Sequence, residues 1–180
     1  DEVGRLVGSV GRVLPATSRP VDLVADTGDW EVEGQVSVHR AAGIVELRLS
    51  PPDVPSPPET VAAIEAADQV VLGPGSLYTS VLASVLAPDV GEALGRRSGP
   101  LVLVANLSAD VEGPWALEDQ VRILADHGVL PDMVLVDDSH GEGSAGPVPL
   151  RRTDVAVLDG ESHDPLLLGK ALAGCTAANM

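Results

Sequence analysis

The chain of 180 residues is 44% hydrophobic but only 2% aromatic, and it contains no phenylalanine. This length suits one domain, whose core must be built from valine, leucine, isoleucine and alanine. The formal net charge of −16 at pH 7 would repel nucleic acid and anionic membranes, so neither is an expected partner.

The first third of the chain predicts a short helix followed by antiparallel strands. Valines and a leucine at helical spacing indicate a helix over residues 2–10. Residues 21–25 and the alternating residues 30–38 predict two strands, which the turn-forming residues 26–29 join as a hairpin. A third alternating strand is predicted over residues 44–49. Together these strands should form an antiparallel flap or sheet edge.

After a proline-rich loop at residues 50–58, predicted helices alternate with strands that are apolar throughout. The predicted strands lie at residues 69–72, 101–105, 133–136 and 155–158. The predicted helices lie at residues 58–67, 76–86, 90–97, 117–127 and 165–172. Such alternation indicates a parallel sheet with right-handed crossovers. The predicted fold class is therefore α/β, a Rossmann-like and mostly parallel sheet with an attached β-hairpin region.

Cysteine content and hydropathy narrow the class of protein. Cys175 is the only cysteine, which excludes an internal disulfide and a cysteine-rich metal site. No apolar run approaches the roughly 18 residues of a membrane span, and no signal peptide is visible. We therefore expect a cytoplasmic protein.

The strongest functional signal is the turn Gly73-Pro74-Gly75-Ser76, which follows a predicted strand and opens a predicted helix. Such a junction points backbone N–H groups and the positive end of a helix dipole at whatever lies above it. In open α/β sheets, ligands bind at this carboxyl edge of the strands.

Three known glycine motifs do not fit this turn. A dinucleotide fingerprint requires a third small residue where Tyr78 stands, and a nucleophile elbow around Ser76 requires glycines at Pro74 and Tyr78. A Walker A loop requires a lysine before serine or threonine, but the only lysine is Lys170. Spacing alone leaves two interpretations: a plain strand-to-helix turn, or an anion cradle assisted by the hydroxyls of Ser76, Thr79 and Ser80.

The longer run LGPGSLYTS, at residues 72–80, resembles the signature of the YvcK/CofD-like family, the gluconeogenesis factors. GRVLPATSRPVDLVA, from residue 11, is similar to another family stretch. LVLVANLSAD resembles its strand that ends in an asparagine loop, and DMVLVDD and SHDPLLLGKAL resemble its later strand and its closing HDP helix. The likeness covers residues 11–173, which is nearly the whole chain.

This resemblance implies a Rossmann-like fold that binds a nucleotide. In the YvcK branch, which GPGSLYTS resembles, the implied ligand is UDP-N-acetylglucosamine, and the implied role is regulation of gluconeogenic growth, cell shape and cell-wall synthesis. Residues 73–76 would hold the phosphates through backbone amides, and Asn106 would close the pocket from the adjacent strand. The expected ligand-binding residues are Gly73, Pro74, Gly75, Ser76, Leu77, Tyr78, Thr79, Ser80 and Asn106.

The CofD branch implies the alternative function, a 2-phospho-L-lactate transferase of F420 biosynthesis. This enzyme would need a divalent metal such as Mg²⁺ and carboxylates, for which Asp110, Asp137 and Asp138 are candidates. A third interpretation is a structural fragment that binds no ligand. Because no nucleophile or general acid–base pair stands out, we predict a binding protein with no catalytic residue, cofactor or resident metal. A homo-oligomer is left open.

The sequence departs from the family pattern in several places. The family's glycine-rich start is absent, so we expect residues 1–180 to form a single, partial CofD-like domain that lacks the N-terminal glycine-rich βα unit. Ser162 stands where an arginine is expected before the HDP motif, and Gln120 replaces a histidine. A cationic partner for the diphosphate is thus missing from these positions.

Two histidines invite other interpretations. His140, with Asp137, Asp138 and Glu142, is a weak metal candidate in the Gly/Ser-rich and predicted mobile loop 137–147. His163 precedes Asp164 and a proline, and these residues are typical of a capped helix start.

Overall fold

The computed structural model describes residue 6, residue 8 and residues 10–175. Within these residues, one sheet has three antiparallel strands and a second has four parallel strands. This arrangement confirms the predicted α/β class with an attached antiparallel unit. The helix predicted over residues 2–10 lies largely outside the described residues. Among the helices of the described residues, none is long and apolar enough to cross a membrane.

The antiparallel sheet has β1 (Asp22–Asp26) at its centre, flanked by β2 (Glu31–Glu33) and β3 (Glu46–Ser50). β1 pairs with β2 across a tight turn and with β3 along its whole length. In β3, the buried Leu47 and Leu49 alternate with more exposed residues, which is the pattern of a half-exposed strand. The predicted hairpin and third strand are confirmed.

The strand predicted over residues 30–38 is wrong beyond Glu33. Gly34 has a φ of 88°, and its N–H donates to the carbonyl of Leu23 at 2.8 Å. The chain then forms a short helix, α1 (Gln35–His39), which buries Val38 completely. Alternating valines resemble a strand, but the left-handed backbone that glycine readily adopts redirects the chain at this position.

The parallel sheet has the order β4 (Val70–Leu72), β5 (Leu101–Val104), β6 (Met133–Val136) and β7 (Leu150–Arg152). All residues of β5 and β6 are buried. Along β5, Leu101 and Leu103 join the main core, whereas Val102 and Val104 join a second cluster of apolar residues. Because side chains alternate along a strand, the sheet is buried on both faces.

Helices lie between and beside these strands, close to their predicted positions. They are α2 (Pro58–Glu65), α3 (Ala83–Val85), α4 (Pro88–Arg96), α5 (Leu117–Asp126) and α6 (Pro165–Ala173). The Asp164 side chain caps α6 by accepting from the Leu166 and Leu167 amides at 2.8 and 3.0 Å. The expectation that Asp164 begins a helix is therefore confirmed.

The helix predicted over residues 76–86 starts with an unusual geometry. Its first part, Leu77–Leu82, is π-helical and continues into α3. The Ser76 carbonyl accepts from the amides of Ser80 and Val81 at 3.1 and 3.0 Å, and the second bond closes a π-type turn. π-Helical turns are rare in proteins, and those that occur are often found at functional sites.

The C-terminal part of the sheet differs from the prediction. Residues 155–158 do not form a strand, and only an isolated bridge joins Ala156 to His163. The fourth strand of the parallel sheet is instead β7, a short edge strand that contains two arginines. Its sequence has no apolar run from which a strand could be predicted. A 3₁₀ helix of three residues, Asp138–His140, lies in the loop that follows β6.

Candidate functional site

Three loops meet where β4, β5 and β6 end, because parallel strands present their carboxyl ends at one edge of the sheet. The glycine turn of residues 73–76 follows β4. Asn106 stands two residues beyond β5, and Asp137 directly follows β6. The structure therefore brings the predicted turn and the predicted Asn106 together.

The glycine turn is tightly packed against the neighbouring strand. Gly73 has a φ of 75°, and a Cβ atom at this position would lie 2.9 Å from the carbonyl oxygen of Val104. A Cβ at Gly75 would lie 3.1 Å from the Cβ of Ser80. Only glycine meets both the backbone conformation and the close approach at residue 73.

Replacing Gly73 by alanine should lower the free energy of unfolding by roughly 1–3 kcal/mol, because the variant adds backbone strain and a contact with a rigid carbonyl. Urea unfolding measures this change. Gly95→Ala in α4 is the matched control, since its Cβ would meet nothing within 4 Å, and it should be neutral or slightly stabilising. Equal unfolding midpoints for the two variants would contradict the described packing.

Asn106 holds the turn from the adjacent strand. Its Oδ1 accepts from the Gly75 amide at 2.9 Å, and its Nδ2 donates to the Gly75 carbonyl at 3.2 Å. Both ends of the side-chain amide are therefore used in shaping the turn. Asn106 lies beside the turn, but its polar atoms contact the turn, and the Gly75 amide is already occupied.

The side chains that follow the turn divide between core and surface. Leu77, Tyr78 and Thr79 are buried in the core, whereas Ser80 is exposed. The Tyr78 hydroxyl faces the Ile44 carbonyl at 3.5 Å, and burial raises the pKa of Tyr78. What this segment presents at the sheet edge is thus mainly backbone, since the first amides of a helix have no intrahelical acceptor.

Glu112, which the sequence reasoning missed, anchors the helix start from below. Its Oε1 accepts from the amide and the hydroxyl of Thr79 at 3.0 and 2.7 Å. The side chain is fully buried, and its Oε2 lies 3.7 Å from Nδ1 of His39 with no hydrogen-bond partner among the described residues. A glutamate in a polar loop gives no local signal of such burial.

A cavity of about 300 Å³ opens beside the turn. Its wall combines the turn with the loop that follows β5 and with the segment before α6. The lining residues are Pro74, Gly75, Ser76, Asn106, Leu107, Ser108, Ala109, Asp110, Glu161 and His163. His163, interpreted from sequence as part of a helix start, is thus also a wall of the cavity. The HDP resemblance was the signal that could have placed it here.

The loop after β5 closes a smaller cavity of about 20 Å³ beneath the turn, with Gly75 and Glu112 in its wall. Gln120, which replaces the family histidine, donates to the carbonyls of Pro114 and Trp115 at 3.0 and 3.3 Å. The Trp115 ring stacks on His140, with ring centroids 4.0 Å apart and planes 9° apart. These contacts hold the loop against the sheet edge.

Asp137 and Asp110, two of the carboxylates proposed as metal ligands, lie in different surroundings. Asp137 accepts from Ser139, Val155 and Ala156. Burial alone would raise the pKa of Asp137, but these hydrogen bonds outweigh it and lower the pKa to about 2. Asp110 lines the large cavity. In residues 10–175, no three His, Cys, Asp or Glu side chains converge as a metal site, so the cluster suggested around His140 does not form.

Comparisons with known proteins agree with these features. The model of the family described as 2-phospho-L-lactate transferase CofD matches residues 1–149. A Mycobacterium tuberculosis relative, named provisionally as a gluconeogenesis factor, is 34% identical over an alignment of 204 positions, which covers 100% of this chain. The gluconeogenesis factor of Halalkalibacterium halodurans is 30% identical over 175 residues, which cover 93% of this chain and 51% of that protein.

A solved structure extends the likeness to the fold. A member of the UPF0052 family from Bacillus halodurans superposes with a TM-score of 0.84 at 26% sequence identity, over 96% of this chain and 64% of that chain. The present chain spans 60% of the length of the mycobacterial relative. The similarity therefore concerns part of those longer proteins.

Proposed function

The chain belongs to the CofD family, and on this premise we propose that it binds a nucleotide sugar, UDP-N-acetylglucosamine, and acts as a regulator without chemistry of its own. The observation that carries the proposal is the glycine turn, which Asn106 fixes at the start of a π-helical segment beside a cavity of about 300 Å³. The names of the curated relatives support a role linked to gluconeogenic growth. Roles in cell shape and wall synthesis, and a cytoplasmic location, belong to the same proposal.

In this proposal the phosphates lie on the backbone of residues 76–78. Asn106 occupies the Gly75 amide and Glu112 occupies the Thr79 amide, whereas the amides between them receive no side-chain acceptor among the described residues. Amides at a helix start bind anions through their N–H groups and the helix dipole. The cavity has no lysine or arginine in its described lining, so these amides would carry the recognition of phosphate.

Titration calorimetry with UDP-N-acetylglucosamine tests the proposal, and we expect binding that does not require Mg²⁺. Replacing Asn106 by leucine should weaken this binding about tenfold, which corresponds to ~1.4 kcal/mol, because the turn loses both hydrogen bonds that fix it. Gln35→Leu, an amide-to-leucine change on the exposed side of α1, is the matched control. Absence of binding by the unmodified chain would refute the proposal.

The description of the matching family favours a second candidate, a phospholactyl transferase. Asp110 at the cavity and Asp138 beyond β6 are its available carboxylates, whereas the hydrogen bonds of Asp137 engage both of its oxygens. Turnover of a deazaflavin acceptor in the presence of Mg²⁺ would support this candidate over the regulator. If neither UDP-N-acetylglucosamine binding nor turnover of the acceptor is detected, the structural-fragment interpretation is the one that remains.

A further inference from the structure

The cavity beside the glycine turn has a wall that is unsuited to phosphate. Asp110 and Glu161 contribute carboxylates, and the described lining contains no lysine or arginine to balance them. A phosphate placed against this wall would meet two like charges, which would repel it. A neutral group that donates hydrogen bonds would instead be attracted, since an ionised carboxylate only accepts.

His163 adds an imidazole ring to this wall. Burial lowers the pKa of His163, although a hydrogen bond with the Ala105 backbone and the charge of Asp137 oppose the shift. The ring is therefore mainly neutral near pH 7. His163 therefore lines the cavity without adding a positive charge that would attract phosphate.

Asp110 also has a carboxylate oxygen that is available as a hydrogen-bond acceptor. Its Oδ1 accepts from the adjacent Val111 amide at 2.7 Å, and no donor to its Oδ2 is present within the described part of the chain. Glu161 is exposed at the mouth of the cavity. The wall thus offers carboxylate acceptors beside an imidazole ring, a combination that suits hydroxyl groups, which can donate to carboxylates.

We propose that Asp110, Glu161 and His163 form a hydroxyl-binding subsite, which takes the vicinal hydroxyls of a ribose or a pyranose. This inference rests on the proposed function, because the phosphates of the same ligand would lie on the glycine turn. It divides the cavity by chemistry: backbone amides hold the anionic part, and acidic side chains hold the neutral polyol.

The subsite can be tested by NMR on the intact chain with uridine, N-acetylglucosamine, inorganic diphosphate and UDP-N-acetylglucosamine as separate probes. The His163 ring signals are assigned by their loss in His163→Gln. We expect these signals to shift with a hydroxyl-bearing probe and not with diphosphate. A response to uridine identifies the ribose, and a response to N-acetylglucosamine identifies the sugar. A His163 response to diphosphate alone would overturn the subsite.

The same titrations separate the subsite from the proposed function. If UDP-N-acetylglucosamine shifts the Ser76 and Leu77 amides but leaves His163 unchanged, the subsite is wrong and the proposed function stands. If that ligand shifts nothing while uridine or N-acetylglucosamine shifts His163, the proposed function fails and the subsite stands. If no probe shifts any signal, both are wrong.

Variants provide a second readout. Asp110→Asn should weaken binding of the hydroxyl-bearing probe about tenfold, or ~1.4 kcal/mol, and should not weaken diphosphate binding. Asp29→Asn, in the exposed turn of the antiparallel sheet, is the control for the loss of one negative charge. An equal effect of Asp110→Asn and Asp29→Asn would contradict the subsite.

Discussion

Replacing Glu112 by alanine should lower the free energy of unfolding by roughly 3–5 kcal/mol, which is among the larger effects expected of a single substitution. The side chain is fully buried, and its Oε1 accepts two hydrogen bonds from Thr79. Alanine would leave a buried amide and a buried hydroxyl without a partner, each at a cost of about 1–3 kcal/mol. Urea unfolding followed by circular dichroism measures the change.

Two further variants show whether the Thr79 contact is responsible. Glu112→Gln preserves the shape and one acceptor oxygen, so it should lose much less stability than Glu112→Ala. In a double-mutant cycle with Thr79→Val, we expect a coupling energy of at least about 1 kcal/mol, because the two side chains share a hydrogen bond. Strict additivity of the two losses would show that the carboxylate acts elsewhere.

Glu112 bears on the proposed site because it and Asn106 belong to the same loop after β5. Asn106 shapes the turn at Gly75, and Glu112 fixes the first turn of the helix at Thr79. Gly113 allows this approach, since it has a φ of 78° and a Cβ there would lie 3.3 Å from Leu77. The amides left for a ligand are the ones that this loop does not use. The proposed cradle is therefore built by two segments rather than by the glycine motif alone.

The parts of the fold that sequence predicted are those determined by local patterns. Apolar runs identify β4, β5 and β6, and glycine after a strand followed by helix formers identifies the turn. β7 was missed because its pairing with β6, rather than its own composition, makes it a strand. Residues 155–158 were predicted as a strand but do not form one, because their apolar character reflects packing of Val155 in the second core cluster.

The candidate site was predictable only in part, for a similar reason. The turn and Asn106 each follow a predicted strand, so their meeting follows from parallel strands ending at one edge. Glu112 lies 33 residues from Thr79, and no local pattern links them. His163 reaches the cavity through the bridge between Ala156 and its own backbone, which depends on a non-local pairing that composition does not encode.

Asp137 connects that non-local segment to β6. Its Oδ2 accepts from the Val155 and Ala156 amides at 2.9 and 3.0 Å, and its Oδ1 accepts from the amide and hydroxyl of Ser139. The carboxylate thus holds the chain that leads to His163. Protonation would turn an acceptor-only group into one that also donates, and at least one of these bonds would be lost.

Acid should therefore remove stability that Asp137 contributes at neutral pH. The folded-state pKa of about 2 lies below the usual value of 3.8, so the contribution is complete above about pH 5 and is lost as the pH falls through 2. Linkage gives it a magnitude of roughly 2 kcal/mol. The difference in unfolding free energy between the unmodified chain and Asp137→Asn should shrink by about this amount from pH 7 to pH 2. Urea unfolding across this range measures it. Asp29→Asn is the control for the loss of one exposed carboxylate. A difference independent of pH for Asp137→Asn would mean that its carboxylate does not hold residues 155 and 156 in the charged form.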